Sequence, residues 1–257
     1  MDKTSLGDRM KTYEAVPKNF LMRRTPCIIR LDGKAFHTFT HGFDKPFDDC
    51  LMQAMQETML YLCKNIQGCV LGYTQSDEIT LVLCDYQKLE TAAWFDYNVQ
   101  KMVSVSASMA TFAFTKYLSD LAFNMFMNSD PNRSDKWKFI QDKLNHGAFF
   151  DSRCFSLPIS EVTNCLIWRQ QDATRNSIQA LAQSLYSHKQ IEGLSCNVLQ
   201  DRMFTEKGVN WNDLSTTKKR GSCAIKVLGD WVIDKNIPIF TQDRSYIESR
   251  IIFEENS

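Results

Sequence analysis

Short apolar runs alternate with longer amphipathic segments over the first 158 residues of this chain. Three apolar runs, CIIRL, CVLGY and ITLVLC, contain many β-branched residues and predict strands at 27–31, 69–73 and 79–84. Apolar residues three or four positions apart predict helices at 48–66 and 92–118. The segment GAFFDSRCFSLP predicts a fourth strand at 147–158.

The predicted order of these elements is β-α-β-β-α-β, which is the split βαβ or ferredoxin-like arrangement. We therefore expect an α+β fold with an antiparallel sheet. In this arrangement the first two strands are parallel, and the third lies between them and runs antiparallel to both. The end of the first strand then meets the turn between the second and third strands at one end of the sheet.

The chain after residue 158 is predicted to be mainly helical. A long helix is expected at 160–188, with Ser160 as its candidate N-cap. Shorter helical or loop pieces are expected at 193–207 and 213–220, and the segments IPIF and RIIF predict a late strand pair at 237–240 and 250–253.

The composition is that of a globular protein, with 44% hydrophobic and 23% charged residues. No stretch approaches the roughly 20 apolar residues of a membrane span, and the polar N-terminal segment lacks the apolar core of a signal peptide. The nine cysteines form no CxxC pair and lie mostly in apolar runs, which indicates buried thiols, a cytoplasmic protein and no zinc site. Because the formal net charge is zero, any nucleic-acid site must depend on local charge.

Three carboxylates are predicted to converge at one end of the sheet. Asp32 follows the first strand, while Asp77 and Glu78 interrupt the hairpin in GYTQSDEITLVLC. Such a cluster is costly unless a cation neutralises it, since like charges oppose each other's ionisation. Oxygen ligands favour Mg²⁺, which is commonly completed by substrate phosphates, so the cluster indicates a metal and nucleotide site.

The loop after Asp32 suits a triphosphate. Gly33 permits close approach of the backbone, Lys34 adds positive charge, and the following amides could face phosphate oxygens; those amides belong to Lys34, Ala35, Phe36 and His37. Either motif alone has a simpler explanation, because Asp-Gly and Ser-Asp-Glu are common in solvated turns. Phe36 would by default be a core residue. Their combination in this topology favours the site.

Six segments, taken together and in this order, resemble the tRNA(His) guanylyltransferase family and its 3′-to-5′ polymerase relatives. They are RLDGKAFHTFT (30–40), DKPFD (44–48), GYTQSDE (72–78), FFDSR (149–153), WRQQDATRNSI (168–178) and GVNWNDLSTTKKRG (208–221). The resemblance implies a catalytic domain of the polymerase-palm type over residues 1–158. A mainly helical C-terminal region, 159–257, would pack on it without a clear linker.

The resemblance further implies two Mg²⁺ ions held by Asp32, the carbonyl of Gly33 and Asp77, with Glu78 as a further catalytic carboxylate. The nucleotide phosphates would contact the segment from Asp32 to His37 together with Ser76 and Asp77. Members activate a 5′-monophosphorylated tRNA with ATP, and the 3′-hydroxyl of an incoming nucleotide, usually GTP, attacks the activated end. Relatives are commonly tetramers, so a homo-oligomer is expected.

Weaker candidates for contact with RNA or triphosphate are all basic residues. They are Lys101, Arg153, Arg169, Arg175, Lys219 and Arg220. Each could equally be a solvated surface charge, and Trp168, beside Arg169, is expected to pack in the core. The segment 172–177 lacks the histidine of the eukaryotic enzymes and is similar to bacterial and archaeal members, whose usual activity restores 5′-truncated tRNAs.

Two alternatives remain open at this level. A nucleotide cyclase of the same palm-like topology would also place acids at a strand end, but it leaves the C-terminal basic segments without a purpose. A ferredoxin-like RNA-binding module would use sheet aromatics. It does not explain three acids, which would repel phosphate in the absence of a metal ion.

Overall fold

A six-stranded antiparallel sheet forms the centre of the protein, whose computed structural model describes residues 5–127 and 134–253. The strands are β1 (Cys27–Gly33), β2 (Cys69–Gln75), β3 (Glu78–Leu83), β4 (Phe150–Ser156), β5 (Ser222–Val227) and β6 (Asp230–Asp234). They lie in the order β4-β1-β3-β2-β5-β6. Since β3 pairs antiparallel with both β1 and β2, the predicted arrangement of these first three strands is confirmed.

Helices cover both faces of the sheet. They are α1 (Ser5–Ala15), α2 (Phe36–Phe39), α3 (Asp49–Asn65), α4 (Val99–Met127), α5 (Ser134–Asn145), α6 (Ile159–Leu185), α7 (His188–Ile191), α8 (Cys196–Lys207), α9 (Thr216–Arg220) and α10 (Ser245–Ile251). Two 3₁₀ turns lie at Trp94–Tyr97 and Trp211–Asp213. None of the helices in the described ranges combines the length and the apolar character that crossing a membrane requires.

The alternation of side chains along β1 and β3 divides the core into two layers. Ile29 and Leu81 are buried in the layer that contains residues of α3 and α4. Ile28 and Val82 point to the other face, where they are buried with residues of α6 and α10, including Leu166. A third, smaller cluster joins the C-terminal half of α6 to α8.

Several predicted boundaries differ from the structure. Helix α3 begins directly after its N-cap residue Asp48, whose side chain accepts hydrogen bonds from the amides of Cys50 and Leu51. Helix α4 begins later than predicted because a 3₁₀ turn precedes it, and it runs to the edge of the described residues. Helix α6 has Pro158 at its N-cap position instead of Ser160. Proline suits this helix start because its fixed φ and missing amide cost little there.

The predicted late strand pair is wrong. IPIF is not a strand, and most of RIIF lies in or directly after α10; Ile237, Phe240 and Ile251 instead bury their side chains on the α6 face of the sheet. The true late hairpin is β5–β6, and its turn places Leu228 and Gly229 at positive φ (53° and 94°). A Leu-Gly pair before DWVID was a weak hairpin signal. The region after residue 158 therefore adds two strands to the same sheet.

Candidate active site

Three carboxylates lie at one end of the sheet, as the topology predicted. Asp32 on β1 stands opposite Glu78 on β3, so that their side chains leave the same face of the sheet. Asp77 lies in the turn before β3, and its carbonyl accepts a hydrogen bond from the amide of Gly33 at 3.1 Å. On the other side of β1, Asp32 faces Asp151 of β4.

Asp32 and Asp77 have few partners of their own. No residue in the described ranges donates a hydrogen bond to the Asp32 carboxylate, whereas Asp77 accepts one from the Ser76 hydroxyl at 3.0 Å. Burial raises the pKa of the Asp77 carboxyl, and the charge of Asp32 raises it further, against the opposing hydrogen bond from Ser76. The two carboxylates therefore form an anionic pair with little internal compensation.

Glu78 has a different partner. Its Oε1 accepts a hydrogen bond from Nε of Arg169 at 2.7 Å, and Arg169 also donates to Asp172 at 2.8 Å. Only 8% of the Arg169 side chain and 11% of the Glu78 side chain are exposed. Burial raises the pKa of Glu78, while the guanidinium of Arg169 opposes this shift by stabilising the charged form.

This ion pair corrects the expectation of a three-carboxylate metal cluster. Across residues 5–127 and 134–253, no three His, Cys, Asp or Glu side chains are grouped so that they could hold a metal ion. A buried carboxylate requires a counter-charge, and α6 supplies it from a distant part of the chain. The remaining pair, Asp32 and Asp77, still fits Mg²⁺, which commonly takes one or two carboxylates and completes its shell with water and phosphate.

The loop between β1 and α2 differs in part from its predicted role. A Cβ added to Gly33 would lie 2.3 Å from the Phe36 ring, so glycine is what lets Phe36 enter the core. The amide of Lys34 donates to the carbonyl of Phe149 at 2.8 Å and is not free for a phosphate, which corrects that expectation. The amides of Ala35, Phe36 and His37 have no backbone acceptor among the described residues. Ala35 itself is left-handed, with φ 54°.

A cleft of about 660 Å³ opens beside this loop. Its walls bring the predicted nucleotide residues Phe36, His37, Ser76 and Asp77 together with polar side chains from three other segments. Those added side chains are Lys45 of the loop before α3, Asn176 and Gln179 of α6, and Lys218 and Arg220 in and at the end of α9.

The sequence pattern does not predict that Lys45, Asn176 or Gln179 belongs to a site. Lys45 belongs to the segment DKPFD, and a lysine next to a proline in a loop is the sequence feature that could have identified it as a site residue. The two α6 residues gave no such signal, because polar positions on a helix face are usually solvated. Only the packing of α6 over the sheet identifies them.

The weaker basic candidates divide into three groups. Arg220 lines the cleft, and Lys219 donates to the carbonyl of Asn212 at 2.7 Å. Arg169 and Arg175 both pair with Asp172, the first buried and the second exposed.

Arg220 is the one basic candidate in the cleft lining, and the last two candidates lie on other parts of the fold. Arg153 is exposed and pairs with Asp151 at 2.7 Å. Lys101 is exposed at the start of α4, with its ammonium 5.7 Å from the centre of the Phe95 ring. Neither residue is brought to the cleft by the fold.

Trp168 does not pack in the core, contrary to expectation. Its side chain is 52% exposed, and the guanidinium carbons of Arg169 and Arg30 lie 4.4 and 5.5 Å from the centre of its ring. The adjacent Arg169 turns inward to Glu78, which leaves the larger aromatic side chain on the outer side of α6.

Comparison with known proteins places this geometry in context. A family model described as tRNA(His) guanylyltransferase matches residues 7–158. Two solved structures of a bacterial tRNA(His) guanylyltransferase-like protein are similar over nearly the whole chain. The complex with ATP has TM-score 0.85 and 43% identity, covering 97% of this chain and all of that one; the complex with GTP has TM-score 0.79 and 40% identity, covering 96% and 98%.

More distant relatives carry the same family description. The tRNA(His) guanylyltransferase of Saccharomyces cerevisiae is 27% identical over 76% of this chain and 80% of its own length. The probable tRNA(His) guanylyltransferase of Dictyostelium discoideum is 24% identical, covering 84% of this chain and 80% of that one.

Proposed function

The chain belongs to the tRNA(His) guanylyltransferase family of nucleotidyltransferases, and we propose that it adds nucleotides to the 5′ end of tRNA in the 3′-to-5′ direction. The observation that carries the proposal is the cleft that joins Asp77 to the predicted phosphate-binding loop and to basic side chains of α9. ATP would transfer its AMP group to the 5′-monophosphate with release of pyrophosphate, and the 3′-hydroxyl of GTP or another nucleotide would then attack that activated phosphate and displace AMP. Phosphoryl transfer requires mainly positioning and charge neutralisation, which such a cleft can supply.

Asp32, the carbonyl of Gly33 and Asp77 would hold two Mg²⁺ ions. When bound, these ions would offset the negative charge of the carboxylates and the triphosphate. The free amides of Ala35, Phe36 and His37 would face phosphate oxygens. Lys45 and Arg220 would add positive charge from the opposite walls.

Glu78 would act by positioning, together with Arg169, and not as a ligand. Its carboxylate is already neutralised by the guanidinium. The strand order of β1 to β4 supports a ferredoxin-like catalytic core of the polymerase-palm type. The proposed enzyme is a cytoplasmic homo-oligomer.

Restoration of 5′-truncated tRNAs is the favoured form of the activity. The chain is 40–43% identical to the bacterial guanylyltransferase-like structures and 22% identical to the solved yeast structure. The segment 172–177 also carries Thr174 and Arg175 without a histidine. We therefore expect weaker commitment to one added G on tRNA(His).

The decisive experiment is extension of a 5′-monophosphorylated tRNA that lacks its first nucleotide, compared with intact tRNA(His). Both reactions contain ATP, all four nucleotides and Mg²⁺. Asp77→Asn should reduce extension at least 100-fold while circular dichroism is unchanged, and Asp230→Asn, on the exposed β5–β6 hairpin, is the matched control. Extension by Asp77→Asn at the wild-type rate would refute the proposal. Release of a cyclic nucleotide from ATP or GTP without RNA would identify a cyclase instead.

A further inference from the structure

An exposed aromatic surface lies beside the carboxylate pair and outside the nucleotide cleft. It consists of the exposed side chains of Trp168 on α6 and Arg153 on β4 together with the half-buried Arg30 on β1, and we call it the tryptophan platform. None of these three residues lines the 660 Å³ cleft. The reaction proposed above needs a second substrate, and this surface offers it a place.

The fold places the platform next to the carboxylates. Arg30 lies two residues before Asp32, so both side chains leave the same face of β1. Arg153 is the register partner of Arg30, just as Asp151 is the partner of Asp32. The platform is therefore one residue pair away from the carboxylate end of the sheet, on the β4 side.

The ring of Trp168 is held in place from the protein side. Arg169, 4.4 Å from the ring centre at its guanidinium carbon, is fixed by its bonds to Glu78 and Asp172. Arg30 lies 5.5 Å from the same centre. Exposure of 52% leaves a large part of this indole open to solvent.

The charges around the ring favour an anionic partner. Arg30 forms no ion pair with any described residue, and its Nε is buried without a hydrogen-bond acceptor. Among the residues that the structure describes, Arg153 forms an ion pair only with Asp151, and an exposed pair of this kind contributes little and can exchange partners. A ligand with both a flat ring and a phosphate would satisfy together the open indole and a guanidinium that forms no ion pair with a described residue.

We propose that the tryptophan platform binds the 5′-terminal nucleotide of the RNA, with its base stacked on Trp168 and its phosphate near Arg30. This inference rests on the proposed function. The incoming nucleotide would occupy the cleft on one side of Asp32 and Asp77, and the RNA end would approach from the other side. Trp168 acts as a positioning residue, because it does not contact the reacting atoms.

The experiment separates stacking from charge and from folding. Trp168→Ala should raise KM for the truncated tRNA about tenfold, within the range measured when a stacked aromatic is removed, while KM for ATP and kcat change less than twofold. Trp168→Phe should restore most of the affinity, since it keeps a stacking ring. Phe204→Ala, which removes another exposed ring on α8, is the matched control and should leave KM unchanged.

A direct binding readout makes the test independent of catalysis. The truncated tRNA should quench a tryptophan fluorescence component that is absent from Trp168→Phe, and inorganic triphosphate should not produce this quenching. An unchanged KM for tRNA in Trp168→Ala, or equal quenching by triphosphate, would overturn the inference. If the wild-type protein binds RNA with this quenching but does not extend it, the proposed function fails and the platform stands.

Discussion

At the scale of single residues, Asp32 and Asp77 hold two like charges close together at the end of the sheet. The charge of Asp32 adds to burial in raising the pKa of Asp77, and no described basic side chain is paired with either carboxylate. Like charges held close together reduce the stability of the folded protein. The protein is therefore strained electrostatically at the place where the proposed Mg²⁺ would bind.

Asp32→Asn should stabilise the metal-free protein. Removing the charge of Asp32 removes its repulsion of Asp77, so we expect a gain of roughly 0.5–2 kcal/mol in the free energy of unfolding, which is typical of a favourable single substitution. Urea unfolding in EDTA measures it. Adding Mg²⁺ should stabilise the wild type and have little effect on Asp32→Asn, because binding to the native state alone raises stability. Destabilisation by Asp32→Asn in EDTA would contradict this account.

The gain should depend on pH with a definite sign. The folded-state pKa of Asp77 lies above its unfolded value, so its ionisation opposes folding at pH above the folded pKa. This opposition disappears as the pH falls below the unfolded value, where Asp77 is protonated in both states. The difference between Asp32→Asn and wild type should therefore shrink on acidification.

The sequence pattern predicts the convergence of the carboxylates but not their partners. Asp32, Asp77 and Glu78 could be brought together because strand order follows from the pattern of short apolar runs. The Arg169–Glu78 pair joins residues 91 positions apart, and no local pattern encodes which arginine of α6 turns inward. The exposure of Trp168 follows from that same choice and was missed for the same reason.

At the scale of elements, the attachment of β5 to β2 depends on Gly221. This residue has φ 83°, and a Cβ on it would lie 2.3 Å from the carbonyl oxygen of Thr74. Directly after it, Ser222 begins β5 opposite Thr74. The carbonyl of the preceding Arg220 accepts a hydrogen bond from the Tyr73 hydroxyl at 2.8 Å, so the basic end of α9 is fixed to the sheet at this point.

Gly221→Ala should destabilise the protein more than Gly229→Ala. Both glycines have positive φ, but a Cβ on Gly229 would meet no atom of the described residues within 4 Å. Gly229→Ala therefore measures backbone strain alone, about 1–2 kcal/mol, whereas Gly221→Ala adds a clash with backbone and should cost at least 1 kcal/mol more. Urea unfolding of both variants provides the comparison. Equal losses would mean that β5 shifts without cost.

The late hairpin shows why elements were harder to predict in the second half of the chain. IPIF has the composition of a strand, yet the side chains of Ile237 and Phe240 pack between the sheet and α10. SCAIKV, the sequence of β5, is less apolar than IPIF, but it pairs with the edge of β2. Which of the two segments forms a strand is determined by pairing with the rest of the sheet, because β propensity depends on such tertiary context.

At the scale of the whole molecule, positive charge is local, because 30 basic and 30 acidic residues balance. Much of it is already compensated within the fold, as Lys218 pairs with Asp49 at 2.9 Å and Arg175 pairs with Asp172. Arg220 in the cleft and Arg30 on the platform have no ion pair with a described residue. RNA binding should therefore use few phosphate contacts.

The affinity for tRNA should fall as salt rises, with a shallow slope. Each phosphate contact contributes just under one unit to the slope of log affinity against log salt. Arg30→Gln, which removes the guanidinium proposed to contact the RNA phosphate, should reduce the slope by about one unit, while Arg250→Gln, on α10, should leave it unchanged. Fluorescence anisotropy of labelled tRNA at salt concentrations from about 50 to about 300 mM measures the slope for both variants. An affinity independent of salt would argue against phosphate contact.

The position of β5 in the sheet has a consequence for synthesis of the chain. β2 is complete early, but the strand that covers its outer edge follows only after α6, α8 and α9. Until then the nascent protein exposes the backbone groups of Gly72, Tyr73 and Thr74, which β5 later pairs. An open apolar edge invites pairing with another chain. Because β5 is synthesised late, the edge of β2 can pair with another chain during synthesis until the C-terminal region docks.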